Sequence, residues 1–310
     1  MNENYEKLAK KFLKDFKHPI ALYRKEEFDY YLELFDNVLG CKKDFISYCK
    51  MVDEVGFDNL FILREKLRND ILEHVKNKES YKEFISMDFK KYSERFEGFK
   101  HGTNFLSNNN VNKKWISIDM SKANFYSFKT FNEDLVDGYN TFEEWVMSFE
   151  NGQLFKDTKI LRQILFGEMN PKRNQSIQKF YMSKMIEFLG TKTDINKLNI
   201  IVLGADEVLV EYEEELLEII NDCITNFNDF CPESKFKFKV EVFELLKISD
   251  IKEYGYVKKF ENEEVKFTGV SKNYFAQSFK YYYGLPIEDR DLKFYMDGIV
   301  ATYERPLISI

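Results

Sequence analysis

Histidine, cysteine and proline are all scarce in this chain, and each scarcity removes a class of function. The three histidines, His18, His74 and His101, are scattered, which leaves no histidine-rich metal site and no obvious catalytic triad. The four cysteines, Cys41, Cys49, Cys223 and Cys231, form no Cys-x-x-Cys pair and have no histidine nearby. Reduced structural thiols in a cytoplasmic setting are therefore expected, in place of disulfides or zinc. Five prolines and 32% charged residues argue against long disordered linkers. No run approaches the ~18 apolar residues a membrane helix needs, and the opening MNENYEKLAKKFLKDF lacks the apolar stretch of a secretory signal. A membrane partner is accordingly not expected. The net charge of −7 counts against a protein that simply coats nucleic acid through many phosphate contacts. It leaves room for an enzyme with one local basic channel.

What the chain does have is aromatic residues, 31 Phe and 19 Tyr, alongside many Lys, Asn and Ile. AT-rich codons produce that composition, and a viral or phage-like origin is consistent with it. At 44% hydrophobic over 310 residues there is enough apolar material for a real core in one large or two modest domains. Residues 1–85 carry apolar residues at three- and four-residue intervals, with Gly40 and Gly56 as stops; 86–110 is a turn-rich connector. The texture then changes. WISIDM (115–120) alternates as a strand; 141–150, 157–166 and 171–189 look helical, with Asn170 as N-cap and Pro171 at the first helical position. LNIIVLGADEVLVEY (198–212) reads as two β runs around a turn, then come an amphipathic helix and the strand KFKFKVEVFELLKI. Two further strands, a helix around 272–283 and a hairpin turning at Asp297-Gly298 complete the chain. The fold class expected is α+β: a helical N-terminal region (1–110), a core of antiparallel sheet packed with helices (111–247) carrying a helical insertion (141–190), and a C-terminal α+β extension (248–310).

Chemistry concentrates in acids at strand ends. Asp119 closes an apolar strand, and Asp206 and Glu207 sit between the apolar runs IIVLG and VLVEY. Carboxylates there are costly unless solvated, paired or bound to metal. Brought together by adjacent strands, they offer hard oxygen donors suited to Mg²⁺ or Mn²⁺. The same residues also fit a polar hairpin turn and a helix N-cap, and spacing alone leaves both readings open.

The local strings add to this. Asp119-Met120-Ser121-Lys122-Ala123-Asn124-Phe125 resembles motif A of the family A polymerases, the DNA polymerase I-like group, in which a metal-binding Asp is followed by x-Ser. Val202-Leu203-Gly204-Ala205-Asp206-Glu207-Val208-Leu209-Val210-Glu211 resembles their motif C, and Arg162-Gln163-Ile164-Leu165-Phe166-Gly167 is similar to the core of the fingers helix. The three islands occur in the family's order across some 130 residues. Departures are that Ala205 stands where motif C has His, that Asn170 replaces the motif B Tyr, and that the fingers span is short; a reverse-transcriptase-like or viral RNA-polymerase-like palm fits the compact spacing as well. The resemblance implies a palm that performs template-directed nucleotidyl transfer with Asp119 and Asp206 as metal ligands and Glu207 in support. Its partners would be template and primer nucleic acid, nucleoside triphosphates and the proteins of a larger replication or transcription complex. The second implication is a catalytically silent, palm-derived nucleic-acid-binding subunit.

Between the acidic islands, residues 156–184 carry seven basic residues against Asp157 and Glu168. Lys172 and Arg173 fall in the first turn of a helix, where they oppose its dipole unless a phosphate is bound there. Arg162, Lys172, Arg173 and Gln175 are therefore candidate nucleotide and phosphate contacts, and a solvated helix face is the alternative. Phe125 and Tyr126, just after the first acid, are candidates for sugar or base contact, with core packing as the alternative.

Overall fold

The computed structural model describes residues 2–97, 100–102, 104–296 and 299–303. In chain order the elements are α1 (Asn2–Phe16), α2 (Lys25–Leu39), α3 (Cys41–Val55), α4 (Phe57–Lys76), α5 (Glu79–Ser86), β1 (Lys113–Met120), α6 (Ala123–Phe131), α7 (Phe142–Met147), α8 (Gly152–Phe155), α9 (Lys159–Glu168), α10 (Pro171–Lys192), β2 (Ile200–Leu203), β3 (Glu207–Glu211), α11 (Glu214–Thr225), α12 (Phe227–Phe230), β4 (Phe238–Lys247), β5 (Tyr256–Phe260), β6 (Val265–Thr268), α13 (Phe275–Tyr282), β7 (Lys293–Met296) and β8 (Ile299–Thr302). The α+β class holds. Six strands form one sheet in the order β2-β3-β1-β4-β5-β6, and β7 and β8 form a separate hairpin. The Asp297-Gly298 turn expected for that hairpin lies outside the described residues.

The chain divides into two compact units whose cuts fall at 60, 105, 112 and 243. One unit comprises Phe61–Phe105 and Lys113–Phe243; the other gathers the chain up to Leu60, Leu106–Asn112 and everything from Glu244 onward. Residues far apart in sequence thus share a core, which local composition has no means to signal.

In the second-named unit, α1–α3 begin and end as their apolar spacing and glycines dictate. Gly40 ends α2 in the left-handed region (φ 61°), donating its N–H to Asp36 O, and Gly56 (φ 84°) ends α3 by donating to Val52 O. Phe12, Phe28, Phe45 and Tyr48 form a ring cluster there. The β5–β6 hairpin packs Val257 with Ile248 and Tyr254 in a small core of its own.

The central unit, which holds the acids, has the order β1-α-β2-β3-α-β4, with the strands side by side as β2-β3-β1-β4. This is the split β-α-β-β-α-β arrangement. Right-handed β1-to-β2 and β3-to-β4 crossovers, the general rule, would place their helices on the same side of the sheet. α10 packs on α6 and α11. Eleven of its 22 residues are buried, Asn174, Gln178 and Ser183 among them, so it is a core helix with one solvated side. β2, the outer strand of the sheet, is partly covered where Gly102 N donates to Ile200 O and His101 bridges the same residue. An added Cβ at Gly102 would lie 2.7 Å from Ile201 O, so only glycine permits that approach.

Candidate functional site

The acids are brought together by one ladder. β1 and β3 run antiparallel with Trp115 opposite Glu211, Ser117 opposite Leu209 and Asp119 opposite Glu207. Side chains alternate faces along a strand, and directly opposed residues share a face. One face of the pair is therefore wholly apolar (Ile116, Ile118, Val208, Val210, each at most 1% exposed). The other carries Trp115, Ser117, Asp119, Leu209 and Glu207. Apolar residues on the first face satisfy the helical side of the sheet and oblige Asp119 and Glu207 to point away from it.

The hairpin tip supplies the third acid. β2 and β3 pair antiparallel with Leu203 opposite Val208. Gly204 N donates to Glu207 O at 2.8 Å, which leaves Ala205 and Asp206 as the two-residue turn. Met120 N donates to Asp206 O, also at 2.8 Å. Two sequence islands separated by more than 80 residues are thus hydrogen-bonded neighbours at one end of the sheet, as a shared site requires.

Charge and hydrogen bonding at this end are specific. Ser117 Oγ donates to Glu207 Oε1 at 2.8 Å along the diagonal of the ladder, orienting that carboxylate from a position only 2% exposed. Asp206 is exposed at the tip, yet its carboxyl is held above the usual carboxylate range. Loss of hydration against the protein is the main cause and the neighbouring Glu207 charge adds to it, while a backbone N–H acts in the opposite sense. Crowded carboxylates of this kind have oxygen donors to spare for a divalent cation. Among the described residues no three His, Cys, Asp or Glu side chains are grouped so as to hold a metal by themselves. Mg²⁺ commonly takes one or two carboxylates and completes its octahedron with water and substrate phosphate; the two that the register sets side by side on one face are Asp119 and Glu207, with Asp206 next along the chain at the tip.

Cations border the acids. Ser121 N donates to Lys237 O at 2.9 Å, which sets the start of β4 beside the end of β1, and Lys237 Nζ lies 5.5 Å from the Tyr126 ring centre. Lys122, three residues after Asp119, adopts a left-handed backbone (φ 48°) as it leads into α6. Its ammonium pairs with Glu143 at 2.5 Å. Arg162 lies over the Phe142 ring at 5.9 Å and adds its charge to the field at Glu143. Loss of hydration alone would raise the Glu143 carboxyl. The bond from Lys122, a backbone N–H and the two positive charges together bring it below its ordinary value.

Of the remaining expected contacts, Arg173 is structurally committed. Its guanidinium donates to Phe84 O at 2.8 Å and Met87 O at 2.9 Å, and stacks 4.2 Å from the Phe89 ring centre. It thereby ties the exposed carbonyls at the end of α5 to the start of α10. Asn170, expected as an N-cap, is left-handed (φ 55°) and makes no side-chain capping bond, whereas Pro171 does occupy the first turn. Lys172 and Gln175 are exposed on that turn. Phe125 is fully buried, edge-on to Tyr126 and Phe142 and 6.2 Å from Trp145. Tyr126 is 4% exposed, its hydroxyl donating to Asn140 O at 3.3 Å. Both are core residues in this conformation.

Sequence reasoning passed over Ser117, Lys122 and Glu143. Ser117 was legible as the polar residue two positions before Asp119 and hence on its face. The Lys122–Glu143 pair had no local signal, because 21 residues separate its members. No family model, no curated protein and no solved structure matches the chain.

Proposed function

We propose that the chain carries out template-directed nucleotidyl transfer, extending a nucleic-acid primer from nucleoside triphosphates, with Asp119, Asp206 and Glu207 as the acidic centre. The observation that supports this reading is the ladder that places Asp119 opposite Glu207 and bonds Met120 N to Asp206 O. In this reading Asp119 and Asp206 hold Mg²⁺ or Mn²⁺, which when bound would activate the attacking hydroxyl and stabilise the departing pyrophosphate. Glu207, oriented by Ser117, adds negative charge beside the two ligands. Lys122, Arg162 and the exposed Lys172 and Gln175 offer charge and hydrogen bonds to the triphosphate or the template backbone. The apolar face of β1 and β3, together with Trp115 and Leu209 buried on the other, keeps the strand ends rigid, and substrate would meet the half-buried Asp119 and Glu207 at that end.

The test is extension of a primed template with dNTPs or NTPs and Mg²⁺ or Mn²⁺, beside the Asp119→Ala/Asp206→Ala double variant. Extension abolished by the double variant is the expected result. Folded protein that extends nothing with either metal and either nucleotide set overturns the reading of a stand-alone enzyme.

A second reading, binding of nucleic acid without turnover as a subunit of a larger replication or transcription complex, is favoured by one observation. Arg173, a candidate for the triphosphate, commits its Nη1 to Phe84 O and Met87 O and stacks on Phe89. Retained binding of primed template by the double variant, with no extension by the parent chain, is the result that reading expects.

A further inference from the structure

The environment of Glu143 is that of an anion held in a cationic seat. Its carboxylate lies 2.5 Å from Lys122 Nζ and is 25% exposed. Arg162 contributes positive charge from α9 while its guanidinium plane lies over Phe142. The seat is built from three separate elements: Lys122 from the turn after β1, Glu143 from the first turn of α7, and Arg162 from α9. It is anchored to the acidic centre, because only three residues separate Lys122 from Asp119. Their Cα atoms are therefore within ~11 Å of each other, less than the length of an extended triphosphate with its sugar.

A helix-surface ion pair needs only two partners and is worth little. Glu143 has a lysine and a backbone N–H as partners, Arg162 lies over the ring of its neighbour Phe142 and adds its field, and the core aromatics Phe142 and Trp145 hold α7 in place. The rigid positive groups are the part of this arrangement that a phosphate could use, and the carboxylate is the part that bars it. We propose that Glu143 is an internal stand-in for a phosphate: it occupies an anion subsite formed by Lys122 and Arg162, and the polyphosphate tail of an incoming nucleoside triphosphate displaces it. This deepens the nucleotidyl-transfer reading and rests on it for the identity of the ligand. It predicts a binding site restrained by its own carboxylate, in which removing one negative charge strengthens anion binding.

The experiment is titration calorimetry of the full chain with inorganic tripolyphosphate, run on the parent protein, Glu143→Gln, and Glu143→Gln combined with Lys122→Ala and Arg162→Ala. Glu143→Asp, which shortens the carboxylate arm by one methylene, serves as a second variant, and far-UV circular dichroism melting confirms that each is folded. Expected are at least ~10-fold tighter tripolyphosphate binding by Glu143→Gln, the ~1.4 kcal/mol that a tenfold change represents, a smaller gain for Glu143→Asp, and loss of the gain in the triple variant. Equal or weaker binding by both folded Glu143 variants overturns the proposal, as does a gain that survives removal of Lys122 and Arg162, or no binding by any of the proteins. The two readings fail separately. Tightening in Glu143→Gln with no primer extension upholds the anion seat and sinks nucleotidyl transfer; extension that needs Asp119 and Asp206 without tightening sinks only the seat.

Discussion

Replacing Asp291 by Asn is expected to destabilise the unit formed by the two ends of the chain more than almost any other single polar change. The Asp291 side chain has no solvent exposure and that of Lys280 has 2%. The carboxylate accepts from Lys280 Nζ at 2.7 Å, from the Glu288 backbone N–H at 2.7 Å and from the Tyr31 hydroxyl at 3.0 Å. Asparagine keeps the size of the side chain but removes the charge, leaving the Lys280 ammonium buried without its main counter-ion. Breaking one side of a buried pair costs ~3–5 kcal/mol. With a urea slope of about 2–3 kcal/mol/M, the transition should fall by roughly 1.5 M. Equilibrium urea unfolding followed by circular dichroism reads this directly. The combined Lys280→Met/Asp291→Leu variant should recover part of the loss, since both charges are then gone while the Tyr31 hydroxyl and the Glu288 backbone N–H lose their acceptor at about 1–3 kcal/mol each if left unbonded. A cost below ~1 kcal/mol for Asp291→Asn, or no recovery in the double variant, would refute the claim that the pair is desolvated and mutually dependent. Alkaline pH probes the same pair. Burial alone would lower the Lys280 ammonium, but its bonds to Asp291 and Tyr30 carry it above the usual lysine range. Its contribution is therefore complete below the unfolded lysine value of ~10.4 and fades as pH rises through the higher folded value.

Two further outcomes follow from the central unit. Asp137, left-handed at φ 51°, accepts from Lys78, from His74 at 2.9 Å and from Trp145 Nε1 at 3.0 Å. Loss of hydration works against its ionised form, but these bonds outweigh it and hold the carboxyl below the usual range. Stability from this hub is thus present above the unfolded aspartate value of ~3.9 and disappears as pH falls through the lower folded one; Asp137→Asn should cost about 1–2 kcal/mol at neutral pH and flatten the acid limb of a Trp-fluorescence unfolding profile. Arg173→Ala should cost about 2 kcal/mol through lost charge-assisted bonds to Phe84 O and Met87 O. Arg173→Lys should rescue it only in part, because an ammonium can bond the carbonyls as Nη1 does but has no plane to stack on Phe89; full stability of Arg173→Ala in thermal melts would return Arg173 to the list of candidate ligand contacts.

Much of the local structure was legible because its causes are local. Three- and four-residue apolar spacing with Gly40 and Gly56 defined α1–α3, and alternation defined β1, β3 and β4. Acids flanked by apolar strand at Asp119 and at Asp206-Glu207 marked the candidate site without any contact being known. The pairing of β1 with β3 and not β2 was not legible, since a register depends on which strands meet, and those separated by some 90 residues carry no mark of each other. Arg173 illustrates the limit from the other side: its position in a first turn suggested a phosphate, but the carbonyls that satisfy it come from α5, 86 and 89 residues upstream. Phe125 follows the acid closely in sequence, yet α6 turns its ring into the Trp145 cluster. The sequence by itself determined which segments are helix or strand and which carboxylates stand at strand ends, because propensity, periodicity and turn chemistry act over a few residues. Only the tertiary structure decided which charges meet, since closing long loops to bury apolar surface brings Lys122, Glu143 and Arg162 together, and Asp119 to Glu207, at distances in sequence over which no local rule operates.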